Sequence, residues 1–361
     1  MMLKTTLATA ATLFASAALA QVPAGYPADY QKIIDAAKKE GKLVMYGATD
    51  SKATQPLIKD FNALYPGITI EYNDMNSTEV YNRFISEAAA GGNTADVMWS
   101  SAMDLQMRLA SDGYALKYKS VEVSKIPGWA VWDDQAYGTT FEPAAIVYNK
   151  RLVDAKEVPQ THADFAKLIQ QPKFKDKVTT YDIEKSGVGF MFMTQDAKEN
   201  PKFLDLENAF GVAKVRVQSS TGTMMERISS GENLIGYNVL GSYALVRAKA
   251  DPSIGVVLPK DYTLILSRVM FINKAAKNVN AAKLWLDYML SHRGQTIIAN
   301  DSKLYAIRAD VTGETTSADL IKQIGKDNVK PVPVHPIVLQ FLGPAKRMAF
   351  LKQWKETAGK K

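Results

Sequence analysis

Cysteine is absent from the 361 residues, and histidine occurs three times. The first absence excludes disulfides, thiolate metal sites and cysteine nucleophiles. The histidines, His162, His292 and His335, stand far apart, at no spacing that holds a metal or serves a neighbouring serine. Missing too are the Gly-x-Ser-x-Gly elbow and the His-Glu-x-x-His helix that mark hydrolases. No enzyme, resident metal or cofactor is therefore expected, and Glu142 and Asp50 meeting in space as paired acids is the enzymatic arrangement left open. Positive charge is not concentrated either. The formal net charge is +7, but Lys185, Lys202, Lys214, Arg247, Lys249 and Lys260 are typical of its wide scatter. A nucleic-acid surface needs a basic stripe with aromatic platforms, so no such partner is expected.

Long apolar runs are scarce, and none beyond the first twenty residues reaches the roughly 20 residues that a membrane span needs. Those first residues have the pattern of a cleaved export signal: Lys4, an uncharged stretch from Thr5 to Ala20, and Ala18-Leu-Ala20 before Gln21. The mature protein is expected to begin near Gln21, outside the cytoplasm. Removal of 20 residues from 361 leaves 341, too many for one small core and suited to two lobes. A hydrophobic content of 47% can fill both.

What is present is a repeated junction. Leu43 to Tyr46 has the composition of a buried parallel strand, stops at Gly47 and hands over to Thr49-Asp50-Ser51, after which Ala53, Leu57, Ile58, Phe61 and Leu64 recur at helical spacing. Such a loop sits at the carboxyl edge of a sheet beside unpaired helix N–H groups, where open α/β folds bind ligands. Asp96-Val-Met-Trp-Ser100-Ser101 repeats the pattern, and so does Val215 to Met224 through Ser219, Ser220, Thr221 and Gly222. Capping of the helix or contact with a ligand explains each serine equally well.

Strands at Leu43–Tyr46, Gly67–Tyr72 and Ala95–Trp99 alternate with helices, one opening at Asn76-Ser77 with Ser77 as its cap, which indicates a parallel sheet. Residues 124–134 read as irregular. Tyr137 to Lys150 reads as an extended crossing into a second α/β set, which contains strands at Val178–Ile183, Asn233–Val239 and Ser253–Leu258. Helices are expected from Ser186-Gly187 and over Met224–Ser229. Tyr262 to Asn273 is a second extended run whose alternation puts Arg268 on a face with Leu266 and Met270, as a paired buried charge or as an anion ligand.

With Gly41-Lys-Leu-Val-Met-Tyr46, Ala95-Asp-Val-Met98, Ala145-Ile-Val-Tyr-Asn-Lys150, Ser230-Gly-Glu232, Lys274 and Ala281-Ala-Lys-Leu-Trp285 in this order, the chain resembles the exported solute-binding proteins of ABC importers. The branch is the iron-, thiamine- and phosphosugar-binding one. The resemblance covers nearly all of the mature chain and implies the α/β, two-lobe type II periplasmic fold with extended hinge strands. Lobe one is expected over residues 21–138 plus 268–325, lobe two over 139–267, and a helical C-terminal segment over 326–361. The family function is capture of a solute and its delivery, by a monomer, to a permease with a cytoplasmic ATPase. Ferric-binding relatives carry two adjacent tyrosines shortly after the Gly-Glu element, and here Gly241-Ser242 stand there, with Tyr237 and Tyr243 offset. Iron remains an alternative ligand, and a membrane sensor kinase an alternative partner. A small organic anion, phosphorylated or carboxylated, fits better. Its expected contacts are Thr49, Asp50, Ser51, Ser100, Ser101, Phe141, Gly187, Ser219, Ser220, Thr221, Gly222, Tyr237, Asn238 and Arg268, with Tyr46 and Tyr181 as further aromatic walls.

Overall fold

A computed structural model describes residues 22–92 and 94–359. The expected export signal lies outside them. Two sheets, each flanked by helices, form two lobes. The first sheet holds β1 (Lys42–Gly47), β2 (Thr69–Asp74), β3 (Val97–Ser100), β4 (Val131–Trp132) and β5 (Ala136–Gly138), joined by β12 (Val269–Ile272), in the order β2-β1-β3-β12-β5-β4. The second holds β6 (Glu142–Asn149), β7 (Val178–Tyr181), β8 (Arg216–Gln218), β9 (Ile235–Leu240), β10 (Ile254–Val257), β11 (Thr263–Leu266) and β13 (Val329–Pro331). Its path is β13-β11-β6-β9-β7-β8, with β10 also on β6.

Around the first sheet lie α1 (Gln31–Glu40), α2 (Ser51–Leu64), α3 (Ser77–Ala89) and α4 (Met103–Leu109), with α10 (Val279–Leu290) and α11 (His292–Asn300) added after the chain returns. The second sheet carries α5 (His162–Ile169), α6 (Gly187–Glu199), α7 (Phe203–Val212), α8 (Thr221–Ser230) and α9 (Gly241–Ala250); α12 (Ser317–Ile324) and α13 (Pro344–Thr357) close the chain. Each lobe has an aromatic centre. Phe61 meets Trp285 and Tyr288 edge-on in the first, while Phe165, Phe210 and Tyr237 pack together in the second.

The connection between the sheets is double and antiparallel. Strand β5 runs through Thr139–Phe141 into β6, and β11 runs through Ser267–Arg268 into β12 beside it. The second run is thus two strands belonging to different sheets, not one. Thr139 N–H donates to Arg268 O at 3.0 Å, and Arg268 N–H donates to Thr140 Oγ1 at 2.9 Å. Gly138 is required there, since a Cβ would strike Ser267 Oγ. The tail bridges the lobes once more: residues 336–341 pack on α4, and α13 packs on α7 with Phe350 and Trp354 buried.

Three local differences from the sequence reading bear on the site. Asn76, not Ser77, caps α3, accepting from Thr78 N–H and Glu79 N–H while Glu79 returns a bond to Asn76 N–H. Helix α8 begins at Thr221 with Ser220 as its cap, so Thr221, Gly222 and Thr223 form its first turn and are not a preceding loop. Two short 3-10 turns, Val123–Lys125 and Gly128–Ala130, overlap the stretch 124–134 expected to be irregular.

Candidate ligand site between the lobes

The parallel order β2-β1-β3 brings the carboxyl ends of these strands to one edge, with Gly47 opposite both Asp74 and Trp99. The loops that leave this edge face α8, β9 and α9 of the other lobe. A cavity of about 230 Å³ lies between them. Lobe one lines it with Ala48, Asp50, Asp74, Met75, Asn76, Ser77 and Ser101. Lobe two contributes Tyr181, Ser186, Val188, Ser219, Ser220, Thr221, Gly222, Leu240 and Tyr243.

Hydrogen bonds within the protein decide which donors stay available. Gly47 leaves room for the Tyr72 ring, whose hydroxyl donates to Thr49 O and accepts Thr49 N–H, fixing the first loop. Ser51 N–H and Ser51 Oγ both donate to Asp74 Oδ2, at 2.7 and 2.9 Å, so a protein carboxylate already occupies the α2 N-terminus. Ser100 Oγ accepts Ala102 N–H at 3.2 Å. Ser101 differs: the residue is 2% exposed and lines the cavity, and its hydroxyl makes no hydrogen bond to another described residue. At α8, Ser220 Oγ accepts Thr223 N–H at 3.1 Å. The N–H groups of Thr221 and Gly222 belong to the first turn, which has no intrahelical acceptor.

The lobes touch on two sides of the cavity. Asp50 N–H donates to Tyr243 Oη at 3.2 Å on one side. On the other, Thr78 Oγ1 accepts Gly187 N–H at 3.0 Å and donates to Lys185 O at 2.8 Å, and Ser77 Oγ accepts Val188 N–H at 3.2 Å. The N-terminus of α6 is therefore satisfied by hydroxyls of lobe one together with its own cap, Ser186 Oγ, which accepts Gly189 N–H at 3.2 Å. A Cβ at Gly187 would press on Leu105 and Ala102, so this glycine serves close approach of the lobes and not anion contact.

Arg268 and Glu142 are both 0% exposed beneath the cavity. Arg268 Nε lies 2.5 Å from Glu142 Oε1 and Nη2 lies 3.3 Å from Oε2, while Nη1 donates to Thr49 Oγ1 at 3.0 Å and to Ala48 O. Ser242 Oγ and Thr140 Oγ1 complete the carboxylate. Burial alone would lower the Arg268 pKa, but the adjacent Glu142 charge more than reverses this and holds it up. The guanidinium is thus the paired buried charge, with Glu142 as its ion-pair partner, and it joins a lobe-one loop to both crossings. Tyr243 packs over it, with the guanidinium 5.3 Å from the ring centre. Desolvation pushes the Tyr243 phenol up to about 12. Asp50 is also raised, first by desolvation within the cleft, with Arg268 pulling it back down.

Of the expected contacts, Asp50, Ser101, Ser219, Ser220, Thr221 and Gly222 line the cavity, as does Tyr181. Thr49, Ser51, Ser100 and Arg268 support it from behind. Phe141, Tyr237 and Asn238 are elsewhere. Phe141 packs toward Trp129 in the crossing. Tyr237 and Asn238 both donate to the buried Asp196 inside lobe two, with Asn238 held at φ +56°. Tyr46 turns its hydroxyl to Glu87. Asp74, Met75, Asn76, Ser77, Ala48, Ser186, Val188, Leu240 and Tyr243 are the lining residues not anticipated. A signal for the first four existed, because a parallel partner of β1 must end at the same sheet edge.

Two α/β lobes joined by paired crossing strands and closed over a cleft define the two-lobe type II periplasmic-binding fold. Residues 47–296 match the family described as bacterial extracellular solute-binding protein. A solved substrate-binding protein of an ABC transporter from Agrobacterium tumefaciens is 38% identical; the match covers 88% of this chain and 94% of that one, with a TM-score of 0.83. AfuA from Actinobacillus pleuropneumoniae, solved with fructose-6-phosphate bound, is 20% identical over 88% of this chain and 98% of its own, with a TM-score of 0.72. Iron-bound HitA from Pseudomonas aeruginosa is 17% identical over 88% and 99%, with a TM-score of 0.70. An uncharacterized protein from Haemophilus influenzae is 24% identical over 295 residues, which is 77% of this chain and 81% of that protein. This chain belongs to the bacterial extracellular solute-binding proteins.

Proposed function

We propose that this protein captures a small organic anion, phosphorylated or carboxylated, between its lobes and delivers it without turnover to the permease of an ABC importer. Export through a cleaved signal at residues 1–20 would place it in the periplasm as a monomer. The lobes of this reading are residues 21–138 plus 268–325 and residues 139–267, with 326–361 as the tail that rests on both. One observation carries the proposal: the open N-terminus of α8, from one lobe, and the unpartnered Ser101 hydroxyl, from the other, meet at a single cavity. Helix N-termini attract phosphate and carboxylate, and contacts that exist only when the lobes meet shift the open and closed populations.

Among the similar structures are an iron-bound protein and a sugar-phosphate-bound one. The cleft chemistry favours the second class. Both tyrosines at the cavity, Tyr181 and Tyr243, have hydroxyls engaged with protein groups, and burial raises both phenols, which opposes the phenolate that ferric iron needs. A thermal-shift panel of phosphorylated sugars, phosphonates, carboxylates, thiamine and Fe³⁺ tests this. An organic anion at about 100 times its Kd should add roughly 2.7 kcal/mol of stability and be recovered unchanged. A shift with Fe³⁺ alone would overturn the anion reading.

A further inference from the structure

The walls of the cavity carry opposite electrostatic character. On the lobe-one wall stand Asp50 and Asp74, and neither has a Lys, Arg or His partner among the described residues. The lining contains no Lys, Arg or His. Arg268, the cation beneath, is committed to Glu142. Asp74 still has one oxygen free, since both of its bonds from Ser51 reach Oδ2. The opposite wall holds Ser219, Ser220 and the first turn of α8, a ten-residue helix whose N–H groups favour negative charge. Ser101, buried and unpartnered, opens between the walls. Met75, Val188 and Leu240 supply apolar lining.

A simple anion at α8 would share this small space with two carboxylates that have no ion-pair partner among the described residues. Like charges so close repel, and an ammonium placed on the carboxylates converts that repulsion into attraction. We infer that the ligand is a short aliphatic zwitterion, with its acid group on the α8 N-terminus and the Ser101 hydroxyl and its primary ammonium on Asp50 and Asp74. This deepens the anion proposal and rests on it.

Matched compounds separate the two. Calorimetric titration of the full protein with phosphoethanolamine and ethyl phosphate, with β-alanine and propionate, and with ethylamine isolates the contribution of each charged end. At least one zwitterion should bind about tenfold or more tightly than its amine-free partner, the scale of one charge-assisted pair. In Asp50→Asn the two affinities of that pair should come within about threefold of each other, while the backbone bond from residue 50 to Tyr243 is retained. Equal binding within both pairs, each zwitterion against its amine-free partner, to the wild type would overturn this inference and leave the anion reading standing. Ethylamine binding as tightly as phosphoethanolamine would overturn both. A preference for the amine that persists in Asp50→Asn would remove Asp50 from its site, and no binding by any of the five compounds would also count against the zwitterion.

Discussion

Arg268→Met is expected to lower the free energy of unfolding by about 3–5 kcal/mol, because it leaves the Glu142 carboxylate buried and uncompensated. Methionine follows the arginine stem but supplies none of the four bonds that the guanidinium makes to Glu142, Thr49 and Ala48. Urea unfolding of the variant measures the loss. The double variant Arg268→Met/Glu142→Gln should recover most of it, since the buried charge is then gone while Ser242 and Thr140 can still bond the amide. Exposure sets the contrast with other ion pairs in the molecule. Lys42 and Glu71 are each 50% exposed, and breaking that pair should cost at most about 1 kcal/mol. A loss of less than 1 kcal/mol in Arg268→Met, or no recovery in the double variant, would mean that the pair does not hold the crossings together.

Ser101→Leu should weaken ligand binding by about 100-fold or more, which corresponds to roughly 2.7 kcal/mol, while unfolding changes by less than about 1 kcal/mol. The Ser101 hydroxyl makes no hydrogen bond to another described residue, so folding loses none, yet the larger side chain occupies a cavity of only about 230 Å³. Ser220→Leu offers a comparison. Its hydroxyl caps α8, so that variant should lose binding and, in addition, about 1 kcal/mol of stability. Titration and unfolding on the same samples separate these effects, and unchanged affinity in both variants would remove the two serines from the site.

Local grammar made much of the fold legible. The buried run at Leu43–Tyr46, the helical spacing after Ser51 and the two long extended segments correspond to β1, α2 and the paired crossings. Less of the cleft could be read, for a geometric reason. Adjacent residues at strand ends point to different surroundings, so Ser100 caps its own loop while Ser101 opens to the cavity. Tyr237 and Asn238 stand close in sequence to Leu240 and Tyr243, yet both turn inward to Asp196, which comes from a helix 41 and 42 residues away. The same limit applies to Arg268. Its strand position predicted burial or a ligand role, and only tertiary pairing with Glu142, 126 residues distant, decides which.

The absence of native cysteine allows closure to be measured without background labelling. Spin labels on Lys52→Cys, exposed in α2, and Glu226→Cys, exposed in α8, would report the separation of the lobes. With a saturating amount of the anion or zwitterion identified by titration, the distance distribution should shorten and narrow relative to the ligand-free protein, and Ser101→Leu should not respond at the same concentration. A distribution unchanged at saturation would contradict capture by closure of this cleft.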